Sequence, residues 1–207
     1  MRIVFVSLLI VIADQASKIA VKGIDLPALG VKVRGLIYGT SIPVLGDFLR
    51  LTYIENPGMA FGIDLGGKLL FSLFSVAASA GILYYLYRAR DEPLPFRLSL
   101  AMILGGAVGN LIDRVFYGVI FGEGALFYGR VVDFIDIDFF NFTIFGYTLH
   151  RWPVFNIADA CVTCGVLLML FTHRRTVPAV DPLTSESPTL TSTVNAGSAP
   201  GQDPPLS

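Results

Sequence analysis

Charge is what this sequence has least of. Of 207 residues only 15% are Asp, Glu, Lys or Arg, against 54% hydrophobic, and the mean hydropathy is +0.67. A soluble domain carries about 25% charged and about 45–50% apolar residues, so the deficit points to a chain whose solvent is a bilayer. The net charge of −1 removes the electrostatic case for binding nucleic acid. Cysteine and histidine number two each, too few to build a multi-ligand metal or haem site by themselves. Cys161 and Cys164 form a CxxC, but inside an apolar run. Their i, i+3 spacing puts both sulfurs on one helix face, which favours helix packing over redox or metal chemistry.

Long apolar runs are what the sequence has instead. They cover Arg2 to about Val21, about Leu69 to Tyr87, Phe96 to about Phe116, and Val154 to Phe171, each close to the ~20 residues that cross a bilayer as a helix. The first reads as an uncleaved anchor, because Asp14 spoils a small-residue cleavage site and Lys18 stands where a mature chain would start. Arg2, Arg88, Arg90, Arg97, Arg174 and Arg175 place both termini in the cytoplasm and the loops 23–68 and 118–153 outside. Alternation in FLRLTYI, with β-branched and aromatic residues through VKVRGLIYGTSIPV, predicts a small antiparallel sheet in the first outer loop. The Pro-, Ser- and Thr-rich tail from Thr176 reads as disordered. The expected fold class is a mainly α membrane protein. It has four transmembrane helices and a small extracytoplasmic β-sheet within residues 1–175, then a disordered cytoplasmic tail, 176–207.

Ionisable residues inside spans are expensive and functional by default. Asp14 and Lys18 lie at i, i+4 in the outer part of the first span. Asn110, Asp113 and Arg114 lie in the outer half of the third, and Asn156 and Asp159 open the fourth, while Asp133 sits in the second outer loop. The topology brings all of them to one depth. Asp14 with Lys18, and Asp113 with Arg114, read as structural ion pairs; Asn110 and Asn156 as hydrogen bonds between helices; Gly105, Gly106 and Gly109 as sites of close helix contact. Asp133 and Asp159 have no cation at helical spacing. Two such carboxylates close together share a proton, which suits activation of water for attack on an amide. A proton or cation pathway is the competing reading of the same pair. Asp136 and Asp138 alternate with Phe and Ile, as in a strand with a polar face in water.

The blocks DQASK at 14–18, ENPGMAFG at 55–62, GGAVGNLIDR at 105–114, VVDF at 131–134 and FNIAD at 155–159, in this order, resemble lipoprotein signal peptidase (signal peptidase II). The resemblance covers residues 1 to about 173. It implies an intramembrane aspartyl endopeptidase of the bacterial inner membrane, multi-pass and active at the outer face. The enzyme removes the signal peptide from diacylglyceryl-modified prolipoproteins, cutting before the lipidated cysteine. By the same resemblance Asp133 and Asp159 are the catalytic residues. Asp14, Lys18, Asn56, Asn110, Asp113, Arg114 and Asn156 support the site and contact substrate. No metal or organic cofactor is implied. The prolipoprotein and membrane lipid are the expected partners, globomycin the expected inhibitor, and a monomer the expected state. Two stretches, VFYGVIFGEGALFYGR and the one holding NFTIFGYTLHRWP, are longer than the family pattern, so the placement of Asp133 depends on how they fold.

Overall fold

In the computed structural model of the protein the described residues are 2–58, 68–138, 142–144, 147–149 and 151–173. Helix α1 (Val4–Lys22) is inside out by the standards of a soluble protein. It buries Ser7, Asp14, Lys18 and Val21 and leaves Phe5, Leu8, Leu9 and Ile12 exposed. Polar groups turned inward and apolar groups turned outward suit a helix solvated by hydrocarbon. Helix α2 (Lys68–Arg88) likewise exposes Leu70, Leu73, Phe74 and Tyr84. Helix α3 (Leu94–Ile112) runs on through a π-helical stretch, Asp113–Tyr117, and a short α4 (Gly118–Ile120). Helix α5 (Ile157–His173) closes the described chain. Val4–Lys22 and Leu94–Ile120 are long and apolar enough to cross a membrane, and Ile157–Thr172 is a shorter apolar helix.

Helix α3 packs against α1, α2 and α5, and its glycines permit this. A Cβ on Gly105 would lie 3.0 Å from the Ser7 carbonyl, one on Gly109 2.6 Å from Asp14 Oδ2, and one on Gly106 would overlap the Ala158 carbonyl. The glycine cluster therefore marks close helix contact, as the sequence predicts.

The strands are β1 (Ile24–Leu26), β2 (Val31–Val33), β3 (Ser41–Leu45), β4 (Leu49–Asn56), β5 (Val131–Ile137), β6 (Phe142–Ile144) and β7 (Tyr147–Leu149). β1 pairs with β2 and β6 with β7, while β3, β4 and β5 form an antiparallel sheet in that order. The expected sheet is present, but its third strand is the VVDF segment between α4 and α5, which sets Asp133 opposite Ile54. Val21, Tyr53, Tyr117, Val132 and Phe134 form the core that joins this sheet to the ends of α1 and α3.

Two expectations need correction. The fourth apolar segment does not become helix at Val154. Phe155 exchanges backbone hydrogen bonds with Ile135 (2.7 and 3.0 Å), and Trp152 N–H bonds the Ile137 carbonyl (3.2 Å). Pro153 also biases the residue before it toward extended geometry. The helix begins only at Ile157. Asp136, expected in water, is 7% exposed and accepts hydrogen bonds from Thr52 Oγ1 (2.7 Å) and Arg151 Nε (2.8 Å). The expected disordered tail, the end of the ENPGMAFG block, and Phe139 and Phe140 lie outside the described residues.

Gly106→Ala drives a methyl group into the α5 backbone and is expected to cost about 1–3 kcal/mol, the range for overpacking. Gly81, with nothing within 4 Å of an added Cβ, is the control: Gly81→Ala gains up to about 1 kcal/mol of helix propensity. Thermal melts of both variants in one detergent check the opposite signs.

Candidate functional site

The site is built outward from Lys18. Its side chain has no exposure, and its Nζ meets Asp14 Oδ2 at 2.8 Å, Asp113 Oδ2 at 2.7 Å and Asn110 Oδ1 at 2.8 Å. Three donors meet three acceptors, so the ammonium is fully satisfied. Asp113, expected to pair with Arg114, thus shares the cation of Asp14. Gln15 Nε2 ties the two carboxylates together, donating to Asp113 Oδ1 (2.8 Å) and Asp14 Oδ2 (3.2 Å), and Tyr117 donates to Gln15 Oε1 (3.0 Å). Each carboxylate also holds a backbone N–H in a distant segment. Asp14 Oδ1 accepts from Ala158 N (3.0 Å), one residue before Asp159. Asp113 Oδ2 accepts from Val132 N (3.2 Å), one residue before Asp133.

Because Lys18 can only donate, it fixes the Asn110 amide with its oxygen toward the ammonium and its nitrogen toward Asp159. Asn110 Nδ2 donates to Asp159 Oδ1 at 2.7 Å. Asn156 performs the matching task for Asp133, its Nδ2 donating to Asp133 Oδ1 at 2.7 Å. Asn156 and Asp159 also cap α5 reciprocally: Asp159 N–H bonds Asn156 Oδ1 (2.9 Å) and Asn156 N–H bonds Asp159 Oδ2 (3.3 Å). This N-x-x-D arrangement follows the capping-box pattern. It explains locally why the fourth helix starts where it does and why its first turn contains a carboxylate.

Asn56, Asp133 and Asp159 line one cleft of about 450 Å³, whose apolar wall includes Trp152 and Phe155. Asp14, Lys18, Asp113 and Asn156 are fully buried and hold the cleft from behind. Arg114 is half-buried, donates to the Asn110 carbonyl (3.4 Å) and lies within electrostatic reach of Asp113, Asp159 and Asp133. Burial first, and the charge of Asp159 second, push Asp133 up to about 7. Cys161 and Cys164 are both free thiols. Cys161 is half-buried, but Cys164 is exposed along the cleft, so packing accounts for only one of them. Among the described residues no group of three or more His, Cys, Asp or Glu is arranged to hold a metal ion.

The family model for signal peptidase (SPase) II matches residues 6–174. The chain belongs to the signal peptidase II family. It is 41% identical to a lipoprotein signal peptidase of Chlorobaculum parvum over 65% of this chain and 77% of that one. It is 35% identical to one of Porphyromonas gingivalis over 82% and 81%. A bacterial membrane enzyme solved by the in meso method at 1.9 Å resolution matches with a TM-score of 0.63 and 29% identity, over 84% of this chain and 94% of that one.

In this signal peptidase II chain several contributors are not evident from spacing. Gln15 sits inside the DQASK block, beside a carboxylate, but its second partner is 98 residues away. Glu55, next to Asn56, is bonded by Lys22 and by Tyr53 (2.6 Å), and Lys22 also reaches Glu123 (2.6 Å) and lies 4.4 Å over the Phe121 ring. Burial pushes Glu55 up, but the bonds from Lys22 and Tyr53 and the charges of Lys22 and Arg130 outweigh it and hold the carboxyl below its ordinary value. Arg151 bonds Asp136 and Asp138, the latter at 3.3 Å, and so braces the segment carrying Trp152.

Lys18→Met leaves Asp14 and Asp113 buried together without their cation. The expected loss is about 3–5 kcal/mol, the cost of breaking a buried pair from one side, read as a lower melting temperature in detergent together with lost turnover. A variant that melts like wild type and loses only turnover would place Lys18 on substrate instead.

Proposed function

We propose that this chain removes the signal peptide from diacylglyceryl-modified prolipoproteins by cutting the bond before the lipidated cysteine, with Asp133 and Asp159 as the catalytic pair. The observation that carries the assignment is their convergence. They come from a strand and a helix that are separate in sequence, face one cleft, and are each held by one asparagine amide.

Asp159 accepts hydrogen bonds on both oxygens; it takes the role of base. Asp133 has one oxygen on Asn156 and retains its proton to about 7; it takes the role of acid. Water attacks the scissile carbonyl carbon and gives its proton to Asp159, while the Asp133 proton goes to the carbonyl oxygen. When the tetrahedral species collapses, the C–N bond breaks and the proton on Asp159 passes to the leaving amine. Asp133 then recovers its own proton. Asn56 stands at the cleft, and Asp14, Lys18, Asn110, Asp113, Arg114 and Asn156 preserve the geometry. No cofactor enters the scheme.

The proposed setting is the bacterial inner membrane. Four helices span it, both termini are cytoplasmic, and the sheet and cleft lie at the outer face, with a monomeric 1–175 peptidase unit and a disordered tail, 176–207. A lipid-anchored signal helix cannot bring its cleavage point far from the bilayer surface. The ends of α1 and α3 and the start of α5 are therefore where the carboxylates are needed, and the confinement contributes to rate by positioning.

With a diacylated lipobox peptide, Asp133→Asn and Asp159→Asn are each expected to lower kcat by about 10³-fold or more, as for members of one catalytic unit. Near-normal turnover by either folded variant would sink the pairing. The raised Asp133 gives two pH effects of defined sign. Between its ordinary value of about 4 and about 7, the folded state binds the extra proton, so this contribution to stability is full at low pH and lost as pH rises through 7. In the same range kcat/KM should fall as pH passes 7, because the acid is lost; a profile flat to pH 9 would contradict the assignment. For topology, a single cysteine at position 91, in a chain lacking Cys161 and Cys164, should resist an impermeant reagent added outside spheroplasts.

A further inference from the structure

The end of the bundle opposite the carboxylates carries a second built feature. Ile3, Val4 at the start of α1, and Leu83, Leu86 and Tyr87 of α2 line a cavity of about 230 Å³, together with Arg90 and Arg97. A second hollow, about 380 Å³, adjoins it through Tyr87 and Arg90 and adds Arg88 and Asp91. Arg97 Nε is buried and has no hydrogen-bond partner among the described residues. Arg90 meets Asp91 at 3.4 Å, in an exposed pair of the kind worth little.

These observations pull in one direction. Protein interiors leave few voids larger than a water molecule, and an apolar hollow on a membrane-facing bundle takes acyl chain as its natural filling. Arg97 is half-buried beside the cavity; its buried Nε without an acceptor is costly, and the cost is relieved when the side chain turns to an oxyanion at the cavity mouth. Arginine matches phosphate with a fork of donors, and basic pockets between helices on the cytoplasmic side suit anionic headgroups. Positive-inside sorting alone needs arginines near this surface, but it does not need a guanidinium nitrogen buried beside an apolar cavity.

We propose that this end of the bundle binds one anionic phospholipid, its phosphate held by Arg90 and Arg97 and the start of an acyl chain lying between Val4, Leu83 and Leu86. The site rests on the membrane placement proposed above and not on the aspartate pair. It lies about ten residues of α1, roughly 15 Å, from Asp14, so it anchors the inner ends of α1, α2 and α3 without touching the cleft.

The test is native mass spectrometry of the full chain in detergent. It is titrated with phosphatidylglycerol, with phosphatidylcholine of the same chains, and with inorganic phosphate, and peptidase rate is measured in parallel. Phosphatidylglycerol should half-saturate one site at a concentration about tenfold below phosphatidylcholine, a difference of about 1.4 kcal/mol, and phosphate should not displace it. Arg90→Gln with Arg97→Gln should reduce that preference to about twofold while detergent-phase cleavage stays near wild type. Arg97→Lys, which keeps the charge, should retain part of it. Leu83→Trp, which fills the cavity without altering charge, should reduce binding of both lipids and guards against misreading an unfolded arginine variant. Equal binding of the two lipids by wild type, or an undiminished preference in the double variant, overturns the site. Displacement by phosphate alone overturns the acyl part. Failure of the catalytic assignment would appear in the Asp133 and Asp159 variants and leave these lipid ratios unchanged.

Discussion

One buried ammonium group organises this molecule. Lys18 would be prohibitively expensive as an isolated charge in an apolar medium, and the fold makes it tolerable with two carboxylates and an amide oxygen at 2.7–2.8 Å. Those carboxylates do more than neutralise it. Through Ala158 N–H and Val132 N–H they fix the backbone immediately before Asp159 and Asp133, and through Asn110 the same ammonium orients the amide that faces Asp159. Assembly of the bundle and alignment of the cleft are therefore one network, and a change at Lys18 acts on both.

The bilayer constrains the rest. Helices that expose Leu, Phe and Ile have hydrocarbon as their solvent, so their polar groups must be satisfied internally. The glycines of GGAVG bring α1 and α5 close enough to α3 for that to happen. A hydrolytic reaction also needs water, and the carboxylates lie where helix gives way to sheet. The β3–β4–β5 sheet brings Asp133 to the cleft as a strand residue, while Asp159 arrives as the third residue of a helix.

The stretches on either side of VVDF are tied to this frame at Lys22 and Arg151. Lys22 at the end of α1 connects Glu55, beside the cleft residue Asn56, to Glu123 and Phe121 of the first stretch. Arg151 connects the second to Asp136 and Asp138. Both links join rim to sheet, so the wall bearing Trp152 and Phe155 is held against the strand that carries Asp133.

The sequence by itself determined the solvent of this protein, the helical segments, the glycine contacts and the set of polar residues that converge. Each is written in local composition or in short spacing: apolar runs near twenty residues, the i, i+4 pair Asp14–Lys18, the N-x-x-D box of Asn156 and Asp159. The tertiary structure alone decided who pairs with whom. Asp113 takes Lys18 because α1 packs against α3 closely enough to bring Asp14 beside Gly109, and no local spacing says which helix a glycine face will meet. Asp136 turns from water to Arg151 because VVDFIDI pairs with a strand about eighty residues earlier. The fourth helix waits until Ile157 because Phe155 is already hydrogen-bonded to Ile135. Long-range backbone pairing and the sharing of one buried cation depend on which surfaces meet in space, and that is settled only when the whole chain has packed.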